Sequence, residues 1–106
     1  MAEHLGTTEL MVLLAILRLR EEAYGVPIAR EISSHSGKDV LLGSIYAALA
    51  RLERKGLVAS RLGEPSAERG GRAKRYFRVT AAGRREAVQI RGAVLSLSQG
   101  VQRAPA

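Results

Sequence analysis

The stretch from Gly43 to Leu57, GSIYAALARLERKGL, constrains the fold of this chain more than any other segment. Its apolar residues recur at the spacing of one buried helical face, namely Ile45, Ala48, Leu49 and Leu52. The helix predicted here ends at Lys55-Gly56, because a basic last turn followed by glycine is typical of a helix C-terminus. β-Branched and aromatic residues follow at 57–62 and 75–79, bounded by Gly and Pro, which predicts two strands of a hairpin.

The loop between these strands, residues 63–74, is long for a hairpin and carries Arg69, Arg72 and Lys74 beside a Gly-Gly pair. Long loops without apolar content are usually functional or disordered. An amphipathic helix that leads into a hairpin with a basic, Gly-rich tip is the layout of a winged helix-turn-helix. The predicted fold is therefore mainly α with a small β-hairpin. Its loop, residues 63–74, is the predicted wing, and the alternative is a loop that only faces solvent.

Three further helices are predicted from apolar spacing and helix-end signals. The first covers about residues 6–20, the second about 27–36, and Thr80 caps the last. We divide the chain into a winged helix-turn-helix domain, residues 1–80, and a C-terminal dimerisation helix with a frayed tail, residues 81–106.

Two helices carry more apolar surface than one small domain needs. The first is apolar nearly all round, so one face should pack in the core and another against a second subunit. The last has the 3-4-3-4 spacing of a coiled-coil seam. The predicted dimerisation residues are Leu10, Leu14, Ala87, Ile90, Val94, Leu97 and Val101. The alternative is that the last helix packs on its own domain.

Charge is divided unevenly along the chain. The net charge is +7, made of −2 over residues 1–50 and +9 over residues 51–106. A concentrated positive field favours a polyanion such as nucleic acid or an anionic membrane surface. The alternative is a solubilising surface in an Arg-rich proteome, since 14 of the 17 basic residues are Arg.

Several function classes have little support in the sequence. There is no Cys, which fits a reducing cytoplasm, and His4 and His35 are far apart, so we expect no metal site and no cofactor. The longest apolar run, Leu10 to Leu17, is far shorter than the roughly 18 residues of a membrane span. No nucleophile and base, and no pair of carboxylates, stand in a catalytic context. We therefore expect a cytoplasmic protein that is not an enzyme.

Specific residues are candidates for DNA contact. Ser44 and Tyr46 suit phosphates near a helix N-terminus, Arg51 suits guanine, and Ala47 suits a thymine methyl. The full candidate set is Tyr24, Lys38, Ser44, Tyr46, Ala47, Arg51, Arg69, Arg72 and Lys74. Each has a structural alternative: Tyr24 and Tyr46 could cover the core, and Arg51 could pair with a nearby acid, either Glu31 or Glu53.

A set of short motifs resembles the PadR-type transcriptional regulators. The resemblance covers about residues 5–86, with the motifs in the family's order. They are Leu5-Gly6 with Glu9, Tyr24-Gly25-Val26-Pro27-Ile28, Leu42-Gly43-Ser44-Ile45-Tyr46-Ala47-Ala48-Leu49, Arg51-Leu52-Glu53, Lys55-Gly56-Leu57-Val58, Arg69-Gly70-Gly71-Arg72 and Thr80-Ala81-Ala82-Gly83. Any one motif is weak, and the set is specific.

The resemblance implies a bacterial or archaeal homodimeric regulator, usually a repressor, that binds a palindromic operator on double-stranded DNA. It also implies release by a small-molecule effector in some members, and a pocket lined by Leu10, Leu14, Val94 and Leu97 would be the place for one. The length is similar to that of short-tailed members with a single C-terminal helix. The alternatives are a constitutive or metal-responsive regulator, a winged helix for protein interaction or structured RNA, and a non-specific architectural nucleic-acid-binding module.

Overall fold

Three helices precede a two-stranded hairpin, and a fourth helix follows it, in a computed structural model that describes residues 5–64 and 73–101. The wing residues Arg69 and Arg72 lie outside the described residues, as do His4 and the predicted frayed tail. The elements are α1 (Thr7–Leu19), a 3-10 turn (Arg20–Glu22), α2 (Gly25–Ser36), α3 (Leu42–Arg54), β1 (Val58–Leu62), β2 (Arg75–Val79) and α4 (Ala81–Ser98). Each predicted helix and strand is present, and the other predicted ends agree within about two residues, but α4 ends at Ser98, so the predicted dimerisation residue Val101 lies beyond it.

The core forms where α1, α2 and α3 meet. All four predicted inward positions of α3 are at most 1% exposed, which confirms the apolar periodicity of that helix. They pack with Leu13 and Ile16 of α1 and Ile28 of α2, which are equally buried. Removing large aliphatic side chains from water in this way supplies most of the driving force for folding.

Two glycines end helices with a left-handed backbone. Gly37 follows α2 at φ 73°, and Gly56 follows α3 at φ 75°. A side chain at either position would be strained, because only glycine adopts this region without a steric cost. Gly56 therefore turns the chain from α3, the helix predicted to contact DNA, into β1.

The hairpin is antiparallel, with Val58 opposite Val79 and Leu62 opposite Arg75. The Phe77 N–H also donates to the Ala23 carbonyl at 2.8 Å, so the segment before α2 lies along the free edge of β2. Val58 and Phe77 are buried, and the hairpin therefore packs one face on the helices. This arrangement holds the two ends of the wing beside the N-terminus of α2.

Helix α4 has two parts. Thr80 caps it as predicted, since its Oγ1 accepts from the Gly83 N–H at 3.1 Å. Gly83 and Ala87 are buried against the chain's own body, and Ile90 is half-buried. Beyond Ile90 the described part of the helix is exposed. Ala87 must therefore be removed from the predicted dimer face, because it is fully buried in its own core.

Candidate nucleic-acid interface

Helix α3 presents a polar, basic face opposite its buried face. Ser44 and Ala47 are exposed, and the Arg51 side chain is 45% exposed. Arg54, one turn nearer the C-terminus than Ala50, is also exposed. The face predicted for groove contact is therefore open to solvent along the whole helix. Ala50 belongs to it as well, although the sequence analysis did not single that residue out.

Arg51 has a different ion-pair partner from the two that its sequence neighbourhood suggested. Its Nε lies 3.5 Å from Oε2 of Glu9, and Lys55 Nζ donates to the same oxygen at 2.9 Å. The Lys55 side chain is only 15% exposed, so Lys55 does not share the open face of α3. A sequence signal did exist, because an acid directly before the apolar run of α1 requires a basic partner once it is buried.

Glu9 remains charged in this environment. Burial alone would raise the pKa of its carboxyl, but the Lys55 hydrogen bond, the Gly6 N–H, and the charges of Lys55 and Arg51 lower it below the ordinary value. The Gly6 N–H donates to Oε1 at 2.8 Å. Both carboxylate oxygens thus have partners, and the N-terminus of α1 is joined to the C-terminal turn of α3.

Aromatic and basic side chains meet at the wing base, where the loop joins the two strands of the hairpin. Lys74 Nζ donates to Tyr24 Oη at 3.2 Å and lies 4.4 Å from the centroid of the same ring. Tyr24 packs edge-on against Tyr76, with centroids 5.5 Å apart, and Arg61 covers the Tyr76 ring at 4.8 Å. The structure therefore brings together two predicted DNA contacts, Tyr24 and Lys74, that are 50 residues apart.

Tyr46 lies on the same side of the molecule, between α3 and α2. It is 49% exposed, and a Cβ added to Gly25 would lie 2.4 Å from its Oη. The phenol therefore occupies space that only a glycine at the start of α2 leaves open. Lys38, in the turn between α2 and α3, is exposed. Tyr46 is thus both packed against α2 and available to a phosphate.

The hairpin itself adds positive charge that the sequence analysis left unassigned. Arg61, Arg75 and Arg78 are exposed on its strands. Arg75 Nη1 donates to Ser60 Oγ at 3.0 Å, and Ser60 Oγ donates to Glu53 at 2.8 Å, which links β2 to α3 through β1. Alternation along the strands was an available signal for Arg61 and Arg78, which lie on the face opposite Val58 and Phe77. Arg75 shares the face of Phe77 and is exposed at the start of β2, which alternation does not predict.

A second charged cluster lies away from this surface, between α1 and α2. Arg18 pairs with Glu31, and His35 Nε2 lies 3.2 Å from the same carboxylate. The hydrogen bond from Arg18 lowers the pKa of Glu31 against a smaller opposing effect of burial, and the Arg18 and His35 charges add to the lowering. Within the described residues, no group of His, Asp and Glu is arranged to hold a metal ion.

The residues predicted for dimerisation differ in exposure. Leu10, Leu14 and Ile90 are half-buried, whereas Val94, Leu97 and Val101 are 52%, 79% and 73% exposed. Leu95 adds a further 50% exposed side chain to the same end of α4. In the described parts of the chain, no helix is long and apolar enough to cross a membrane.

The order of the helices, the hairpin that follows α3 and the exposed basic face of α3 define a winged-helix DNA-binding protein. Residues 13–89 match the family model described as the transcriptional regulator PadR-like family. The chain belongs to this family, and it is a DNA-binding transcriptional regulator, not an enzyme. A search of curated proteins found no match.

Solved structures support the same fold. A PadR family regulator from a hypervirulent Clostridium difficile strain superposes with a TM-score of 0.75 at 20% identity, covering 89% of this chain and 93% of that one. One from Eggerthella lenta has a TM-score of 0.69 at 28% identity, with coverage of 86% and 77%. A Streptococcus transcriptional regulator has a TM-score of 0.69 at 26% identity, with coverage of 88% and 86%.

Proposed function

We propose that this chain is a homodimeric repressor that binds a palindromic operator with α3 and the wing. The observation that carries the proposal is the pairing of two surfaces on one small body: a basic, exposed α3 face beside a basic wing base, and an uncovered apolar end of α4. The first surface suits DNA, and the second suits another copy of the chain.

The DNA surface divides into two roles. Side chains on the exposed face of α3, Ser44, Ala47 and Arg51, fit a helix lying in the major groove, where base edges specify sequence. Lys74 and Tyr24 at the wing base, with Tyr46, suit phosphates, which supply affinity without sequence preference. Arg69 and Arg72 lie outside the described residues and keep their predicted role at the minor groove, where narrow tracts attract Arg.

The dimer rests on α4. Its exposed apolar side chains, Val94, Leu95 and Leu97, with Val101 just beyond its end, form a surface that monomeric proteins seldom leave open to water. The half-buried Leu10 and Leu14 on α1 supply apolar surface of the kind that a partner helix needs. We propose that α4 of each subunit packs against α1 of the other, and that an apolar effector enters between them to release the operator.

Selection tests the operator part of the proposal. Duplexes enriched by the protein from a random-sequence pool should share an inverted repeat, with half-site centres about 10 base pairs or a multiple apart. Fluorescence anisotropy then compares the enriched duplex with a shuffled one at two salt concentrations. We expect Arg51→Ala to weaken binding to the enriched duplex by about 1–3 kcal/mol. Equal, weak binding to both duplexes would instead indicate an architectural or protein-interaction role.

Sedimentation tests the dimer. Leu97→Asp places a charge on the most exposed apolar side chain of α4 and should convert a dimer into a folded monomer. Ser96→Asp is the matched control, because it adds the same charge to the same helix one position off the apolar seam. A monomeric wild-type protein at micromolar concentration, or equal effects of both variants, would contradict this assignment.

A further inference from the structure

Glu9 is the one charged side chain that is buried among residues 5–64 and 73–101, at 5% exposed. Burying a carboxylate costs several kcal/mol unless other groups compensate it. The groups that contact the carboxylate must therefore compensate this cost.

The Glu9 carboxylate joins the start of α1 to the C-terminal end of α3. Its Oε1 accepts from the Gly6 N–H at 2.8 Å, where α1 begins. Its Oε2 accepts from Lys55 Nζ at 2.9 Å and lies 3.5 Å from Arg51 Nε, both in the last turn of α3 or just beyond it. The contact to Arg51 uses the inner nitrogen of the guanidinium, and 45% of that side chain remains exposed.

We infer that Glu9 is a positioning residue for Arg51, and that it sets sequence specificity through an ion pair on the Nε side of the guanidinium in the free protein. Because the carboxylate lies on that side, the two terminal nitrogens are the pair left for guanine, which suits the end-on, bidentate form of the contact. Holding the side chain before binding also reduces the rotamer entropy lost on binding. This inference deepens the proposed function and rests on it.

In Glu9→Gln, the loss of a negative charge and the loss of Arg51 positioning should change the affinity for operator DNA in opposite directions. Replacing Glu9 by Gln removes a negative charge from a DNA-binding protein, which by itself strengthens binding to every duplex. A loss of Arg51 positioning weakens binding to the operator only. Specific and random DNA should therefore respond differently to the same substitution, whereas a loss of folded protein would reduce both in equal proportion.

Glu31→Gln is the matched control. Glu31 is also ion-paired and is half-buried, with 21% of its side chain exposed, but its partners are Arg18 and His35 on α1 and α2. The substitution removes the same charge without touching α3. It should leave the ratio of affinities for enriched and shuffled duplexes at the wild-type value.

The experiment measures that ratio by anisotropy for wild type, Glu9→Gln, Glu31→Gln, Arg51→Ala and the Glu9→Gln, Arg51→Ala double variant. Glu9→Gln should lower the ratio about tenfold, with binding to shuffled DNA unchanged or tighter. In the Arg51→Ala background the same substitution should have no further effect on the ratio, because the side chain that it positions is gone. An unchanged ratio for Glu9→Gln, or an undiminished effect in the double variant, would overturn the inference.

A measurement without DNA separates this inference from the proposed function. NMR of the arginine Nε–H groups should give a well-dispersed Arg51 signal in wild type, and an averaged signal in Glu9→Gln. An averaged wild-type signal would refute the positioning of Arg51. A held Arg51 in a wild-type protein that prefers no duplex would refute the operator role and with it the claim on specificity, leaving the ion pair structural.

Discussion

Gly83 is the position where one added methyl group should damage the fold most. A Cβ there would lie 2.1 Å from the Leu57 carbonyl oxygen and 2.8 Å from Val79 Cγ1. The oxygen is backbone, so it cannot move aside as the tip of a flexible side chain can. The same carbonyl accepts the Thr80 N–H at 3.0 Å, and Gly83 donates to Thr80 Oγ1. Gly83→Ala therefore forces α4 away from the hairpin and breaks its cap.

The expected cost follows from three contributions. Overpacking costs about 1–3 kcal/mol, and loss of an N-cap adds about 1 kcal/mol. Alanine regains up to about 1 kcal/mol of helix propensity over glycine. The net loss in the free energy of unfolding is about 1–3 kcal/mol, which for a domain of this size lowers Tm by roughly 5–20 °C.

Urea denaturation followed by circular dichroism measures this loss, and Gly92→Ala is the control. Gly92 lies in the same helix, but an added Cβ there meets nothing within 4 Å. Alanine should therefore raise stability by about 0.5–1 kcal/mol at that position. Opposite signs for the two variants are the expected result. A neutral or stabilising Gly83→Ala would show that α4 does not pack against Leu57 and β2 as described.

Three other predictions concern function and pH. Gly25→Ala should displace the Tyr46 phenol at little cost in stability, because the clash falls on the end of that side chain, and anisotropy should show weaker binding to all duplexes. Lys74→Met should likewise weaken all binding, and should reduce the slope of log affinity against log salt by about one without changing sequence preference. Because the folded-state pKa of Glu9 is depressed, its stabilising contribution is complete above the ordinary glutamate value and is lost as pH falls through the folded value. The difference in unfolding free energy between wild type and Glu9→Gln should therefore shrink on acidification below about 4.5, as urea titrations at several pH values would measure.

Local periodicity predicted the elements well, because helices and strands differ in the spacing of their apolar residues. The buried face of α3 and the Thr80 cap needed no information beyond a few neighbouring residues. The Glu9 contact with Lys55 joins residues 46 apart, and the Lys74 contact with Tyr24 joins residues 50 apart. Partners of that kind depend on how whole helices approach one another, which the spacing of apolar residues does not determine.

The apolar stripe of α4 shows a second limit of periodicity. A seam spacing identifies the face of a helix that is removed from water, but not the molecule that covers it. In this chain Ala87 is covered by the chain's own core, while Leu97, ten positions later on the same stripe, is 79% exposed. The change occurs because the hairpin and α1 reach only as far as the first half of the helix.

This division of α4 also limits how a dimer can present two recognition helices. The helix is continuous over 18 residues, about 27 Å, and its first half is fixed to the winged-helix body by Thr80, Gly83 and Ala87. A partner held by the exposed half is therefore held at a definite distance from α3, without an intervening flexible linker. In the proposed dimer, half-site spacing on DNA would then be a property of the α4 contact. The proposed effector would need only to tilt one α4 against the other α1 to put the two recognition helices out of register with the proposed operator.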